Sequence, residues 1–134
     1  MLLVIAAGGA LGSLARYALE RAMPHSSPGD FAWATFLTNV SGCLLIGVLM
    51  WLVVEVWEPR RYARPFLGVG VLGGFTTFST YAVEAQGMAR AGAWGTAGLY
   101  VVASVVLGVL AVRVGQGLGR LLTGSGRQPG REKG

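Results

Sequence analysis

Charge is what this chain lacks most. Asp, Glu, Lys and Arg make up 13% of its 134 residues, against about a quarter in a soluble domain. With 53% hydrophobic residues and a mean hydropathy of +0.57, it reads as a membrane protein, and its length as one domain. Cysteine is just as scarce. Cys43 stands alone, which excludes an internal disulfide, and its place in an apolar run suits a small packing residue. The single histidine, His25, falls in a loop beside Pro24 and Pro28, and no His or Cys pair has metal-ligand spacing. Acids are nearly missing from the apolar runs, which argues against proton-coupled antiport through a buried carboxylate. No nucleophile has a base partner, no carboxylates are paired and no phosphate loop occurs, so the chain does not read as an enzyme. The net charge of +5 comes from basic residues between and after apolar runs. They read as topology signals and not as a nucleic-acid surface.

What is present is four long apolar runs. They predict an all-α integral membrane fold with transmembrane helices over about residues 2–23, 31–54, 65–90 and 96–119, each with the roughly 20 residues that span about 30 Å of hydrocarbon. Together they form one membrane domain over residues 1–122. The Gly-, Pro- and charge-rich stretch 123–134 is expected to be disordered. The first run has no basic residues before it, so it reads as a retained helix and not a signal peptide. Gly8, Gly9, Gly12 and Ser13 give it a small-residue stripe for close helix packing. Four spans put both termini on one side. Arg60, Arg61, Arg64, Arg120, Arg127, Arg131 and Lys133 lie there, against Arg21 and Arg90 opposite, with Arg16 and Arg113 deeper. The positive-inside rule makes that side cytoplasmic.

The third run is interrupted. Gly73-Gly74-Phe75-Thr76-Thr77-Phe78-Ser79-Thr80-Tyr81 puts weak helix formers and hydroxyls where a span favours leucine and valine. Broken backbone in a membrane must be buried in protein or line a cavity, and interrupted helices commonly build ion sites. Two chemistries are open to it. Ring edges of Phe78 and Tyr81 and the hydroxyls of Thr77, Ser79 and Thr80 suit an anion. Freed carbonyls of Gly73 and Thr76 suit a hard cation.

Other polar residues in the spans carry two readings each. Asn39 is either interhelical glue or part of a polar path; its alignment with Thr35 and Gly42 on one helix face favours the path. Tyr100 and Ser104, one turn apart, are tolerated polar residues or a continuation of that track. Arg16 snorkels to the interface or contributes to an anion entrance. Glu84 is interfacial or lines a vestibule.

Three motifs, in order, resemble those of the Fluc (CrcB) fluoride channels: Gly8-Gly9-Ala10-Leu11-Gly12-Ser13-Leu14-Ala15-Arg16-Tyr17, Thr38-Asn39-Val40-Ser41-Gly42, and Gly73 to Tyr81. The resemblance covers all but the tail. It implies an antiparallel, dual-topology dimer of four-helix subunits in the cell membrane that passively exports cytoplasmic fluoride and so lowers its toxicity. It implies a structural, untransported Na⁺ at the dimer centre, held by the carbonyls of Gly73 and Thr76. The implied fluoride pore is lined by Asn39, Thr77, Phe78, Ser79, Thr80, Tyr81, Tyr100 and Ser104, with Arg16 and Glu84 in the vestibules. Tyr81 stands where the family pattern has phenylalanine. Homodimers of dual topology need little charge bias between loops. The bias here points instead to a fixed orientation and a heterodimer with an oppositely oriented relative. The competing readings are a small four-helix multidrug-type exporter, for which Glu20 is the only candidate acid, and a non-transporting membrane subunit.

Overall fold

The computed structural model describes residues 1–24, 27–56 and 62–124. All regular structure among them is helical. Helix α1 spans Leu2–Ala22 and α2 spans Trp33–Trp51, continued by a π-helical turn over Leu52–Val56. The third span begins with Pro65 in the first turn, where its missing N–H costs nothing. It winds as a π-helix over Pro65–Leu72, closes with one α turn, α3 (Gly73–Phe75), and resumes as α4 (Phe78–Arg90). Long π-winding is rare and frequently marks functional sites. Helix α5 runs over Trp94–Leu122, several residues beyond the stretch that its hydropathy marks. Thr123 closes it by donating its hydroxyl to Gly119 O at 2.9 Å. Four of these helical stretches are long and apolar enough to cross a membrane. His25, Arg60, Arg61, Arg127, Arg131 and Lys133, together with most of the expected tail, lie outside the described residues.

Two helix pairs make the bundle, and both depend on missing side chains. Helix α1 packs on the first half of the third span so closely that a Cβ on Gly12 would sit 2.1 Å from Val71 O, and one on Gly74 2.4 Å from Gly9 O. Helices α2 and α5 run parallel, with Gly47 against Val112 and Gly119 against the Trp51 ring. Such backbone approach is how membrane helices gain packing energy when lipid is as apolar as leucine. Large apolar side chains point outward instead: Leu3 is 86% exposed and Leu121 79%. Hydrocarbon is their solvent. A compact core does form at one end, where Ala32, Phe36, Met88, Ala97 and Tyr100 are buried together. It fixes α4 against α2 and α5, and so positions the second half of the broken span.

Candidate functional site

The break consists of two extended residues, Thr76 (φ −78°, ψ 154°) and Thr77 (φ −147°, ψ 126°). A continuous helix would bond the carbonyls of Gly73, Gly74, Phe75 and Thr76 to the N–H groups four residues on. Here the first and last of those donors go to side chains instead. Thr77 N–H donates to Asn39 Oδ1 at 2.9 Å, while Asn39 Nδ2 donates to Thr77 O at 2.9 Å. The amide thus clamps one residue of the break from both sides, and the reciprocal pair fixes which end of Asn39 is oxygen. Thr80 N–H donates to Thr77 Oγ1 at 3.2 Å, so Thr77 is the N-cap of α4. Thr77 Oγ1 donates to Thr80 Oγ1 at 3.1 Å, and Ser79 Oγ lies 3.4 Å from Thr77 Oγ1. The hydroxyls of Thr77, Ser79 and Thr80 therefore form one cluster at the head of α4. Gly73 O has lost Thr77 N–H to Asn39, and Thr76 O has lost Thr80 N–H to the Thr77 side chain.

The chemistry of that donor set decides which metals suit it. No group of three or more His, Cys, Asp or Glu gathers among the described residues. The freed carbonyls of Gly73 and Thr76 are hard, neutral oxygens, as hard cations prefer. Gly73 is exposed, and a Cβ there would meet nothing within 4 Å. The two positions suit a hard cation approached from the open face.

Gly74 O is handled differently. It accepts from Arg16 Nε at 3.3 Å and from Ser13 Oγ at 3.4 Å, both from α1. Arg16 Nη1 also pairs with Glu20 Oε1 at 3.2 Å across one helical turn. The acid on which an exporter reading depends is therefore engaged in an ion pair.

The remaining candidates gather at a second place. Glu84 accepts from Thr35 Oγ1 at 2.9 Å and from Tyr100 Oη at 2.8 Å, one bond on each carboxylate oxygen. Tyr100 is fully buried, its ring edge-on to Phe31 at 5.2 Å. Tyr81 connects the two places, 5.2 Å from Tyr100 and 5.7 Å from Phe78 between ring centroids. Its hydroxyl reaches Val101 O at 3.4 Å. Ser104 Oγ is buried with no hydrogen-bond partner. A cavity of about 350 Å³ along the break is lined by Asn39, Gly42, Gly73, Thr76, Thr77 and Phe78 among others. Another, of about 300 Å³, holds Glu84 beside Asp30. Apart from Ser104, the expected pore residues thus divide between a break cluster and a Glu84 cluster, joined by the ring of Tyr81. Sequence reasoning missed Thr35 and Ser13 as partners. Thr35 was visible only as a face-mate of Asn39, and Ser13 only as a small residue in a stripe.

The family described as "CrcB-like protein, Camphor Resistance (CrcB)" matches residues 3–116. The chain belongs to the CrcB family. With four membrane-spanning helices, this CrcB chain is a multi-pass membrane protein. It is 47% identical over 128 residues to a Nocardia farcinica protein named fluoride-specific ion channel FluC 2, covering 96% of this chain and 91% of that relative. A Rhodospirillum centenum protein named fluoride-specific ion channel FluC is 45% identical over 109 residues, covering 81% and 86% respectively. A Streptomyces avermitilis protein named fluoride-specific ion channel FluC 2 is 51% identical over 102 residues, and that match spans 76% of this chain but 64% of the relative.

Proposed function

We propose that this chain is one subunit of a passive, fluoride-selective channel of the cell membrane. The observation that carries the reading is the break at Thr76–Thr77, with its hydroxyl cluster, exposed ring and Asn39 clamp, in a chain whose relatives are named for fluoride. Fluoride is small and strongly hydrated, so a pore must replace its water with donors. Asn39 Nδ2 has a second N–H beyond the one given to Thr77 O. The hydroxyls of Thr77, Ser79 and Thr80 can turn toward an anion. Phe78 is 79% exposed and its ring edge carries partial positive charge. Helix α4 starts at the break, so its first N–H groups and the positive end of its dipole face the same space. Tyr81 carries the ring ladder onward to Tyr100, and Ser104 adds a hydroxyl on the same helix, α5. Glu84 is assigned to a vestibule, whereas Arg16 bonds Gly74 O at the break itself.

The pore needs a second subunit, antiparallel to the first, either another copy or an oppositely oriented relative. Na⁺, when bound by Gly73 O and Thr76 O with their counterparts, supplies a fixed positive charge that pins the subunits without itself being transported. No chemical step consumes energy here. Fluoride runs down its own gradient out of the cytoplasm, and the termini face that compartment.

The test is fluoride efflux from liposomes containing the paired protein, read by an electrode, with chloride as the comparison. Rapid fluoride loss with negligible chloride loss is expected, and no fluoride flux overturns the reading. Asn39→Asp and Phe78→Ile are each expected to abolish flux with assembly intact. Persistent flux in both removes these residues from the pore.

A further inference from the structure

We infer that Arg16 is a positioning residue for the break, working with Ser13 to select which freed carbonyls stay open. The inference rests on the channel and sodium reading above and deepens it. The break releases four carbonyls from helical bonding, and they lie within one turn of each other. Left alone, any of them competes for the same cation. Arg16 Nε and Ser13 Oγ converge on one of the four, Gly74 O, at 3.3 and 3.4 Å. That carbonyl is turned toward α1, where a side chain on Gly74 has no room against Gly9. Gly73 O, Phe75 O and Thr76 O are then left, and the first and last of these are the two assigned to the cation.

The charge of Arg16 acts as well as its hydrogen bond. The half-helix from Pro65 to Phe75 ends at the break with the negative pole of its dipole, and α4 begins there with its positive pole. A cation bonded to the last turn of the first half neutralises the pole that repels an anion and leaves the one that attracts it. Glu20 holds the guanidinium from behind at 3.2 Å, which fixes its plane. A vestibule cation that merely concentrates anions needs none of this geometry and no help from Ser13.

The two roles separate in a sodium titration. The assembled protein, purified from membranes, is melted in detergent across Na⁺ concentrations, with N-methylglucamine as the replacement cation, and fluoride efflux is measured in parallel. Arg16→Met is expected to need about tenfold more Na⁺ for half of the sodium-dependent stabilisation, in line with loss of a charged hydrogen bond. Ser13→Ala is expected to shift it in the same direction by about twofold. Adding Ser13→Ala to Arg16→Met is expected to cost less than the sum, because both donors act on one acceptor. Arg16→Lys is expected to recover most of the sodium affinity. If Arg16→Met fails to assemble, Ser13→Ala and Arg16→Lys decide. A flux loss in the Arg16 variants that fades at high fluoride, with the sodium titration unmoved in all of them, overturns the inference and returns Arg16 to a vestibule charge. An unmodified protein whose melting ignores Na⁺ overturns the sodium reading and this inference together.

Discussion

Asn39 commits both ends of its amide to a single residue 38 positions away. Replacing it with alanine strands an N–H and a C=O in the membrane. Each such group costs about 1–3 kcal/mol, so Asn39→Ala is expected to destabilise by about 2–4 kcal/mol, read as a lower midpoint in thermal melting. Tyr81 is the opposite case. Its hydroxyl lies 3.4 Å from Val101 O, outside the 2.5–3.0 Å range of a good O–H···O bond. Tyr81→Phe keeps the ring that stacks between Phe78 and Tyr100. It is expected to change stability by no more than about 0.5 kcal/mol and to conduct fluoride near the unmodified rate. A large flux loss in Tyr81→Phe assigns the hydroxyl a direct part in conduction. The sequence marks Asn39, Glu84 and Arg16 as residues that need partners, because polar groups are expensive in hydrocarbon. It does not identify the partners. Asn39 is satisfied by backbone of the break, which carries no side-chain signature, and Arg16 by that backbone together with Glu20 one turn on. Glu84 is satisfied by Thr35 and Tyr100 from two other helices, at separations of 49 and 16 residues.

At the scale of elements, glycine placement decides which helix faces meet. Helix α5 offers an internal control. A Cβ on Gly115 would lie 2.2 Å from Leu44 O, whereas one on Gly117 meets nothing within 4 Å. Gly115→Ala therefore forces α2 and α5 apart and is expected to cost about 1–3 kcal/mol. Gly117→Ala removes a poor helix former from an open face and is expected to be neutral or stabilising by up to about 1 kcal/mol. Equal melting shifts in the two variants contradict this account of the α2–α5 contact. The spans themselves are legible because a run of apolar residues of the right length has few alternatives in a membrane. Their ends are less so. Residues 94 and 95 belong to α5 although Gly95 looks like part of a connection, since Ala97 N–H bonds back to Ala93 O and closes the first turn early. The π-winding over Pro65–Leu72 is invisible to hydropathy: every residue in it is apolar, so a change of pitch alters no pattern. The interruption after Phe75 is different. Glycine and threonine weaken the helix there by propensity, and the Thr77 cap then makes the second half start afresh.

The whole molecule is unfinished on the face of the break. Phe78 is 79% exposed, Gly73 opens onto empty space, and Gly73 O with Thr76 O are too few to fill the shell of the proposed cation. In the proposed channel a second subunit completes all three, and its identity depends on how this one inserts. With the tail left out, Arg60, Arg61, Arg64 and Arg120 lie on one side of the four spans and Arg21 and Arg90 on the other. Charges near span ends set orientation, so this chain is expected to insert one way. A copy of itself then cannot supply the inverted partner. In a Cys43→Ser background, Ala91→Cys places a thiol in the connection between α4 and α5. A membrane-impermeant maleimide is expected to label it from outside intact cells almost completely. Labelling of about half the molecules, with the rest reached only after permeabilisation, is the signature of dual topology. The functional counterpart is fluoride efflux from the chain expressed alone, expected to be absent, and from the chain expressed with an oppositely biased relative, expected to be present. Robust flux from the chain alone shows that the loop charges do not dictate orientation, and makes the second subunit another copy.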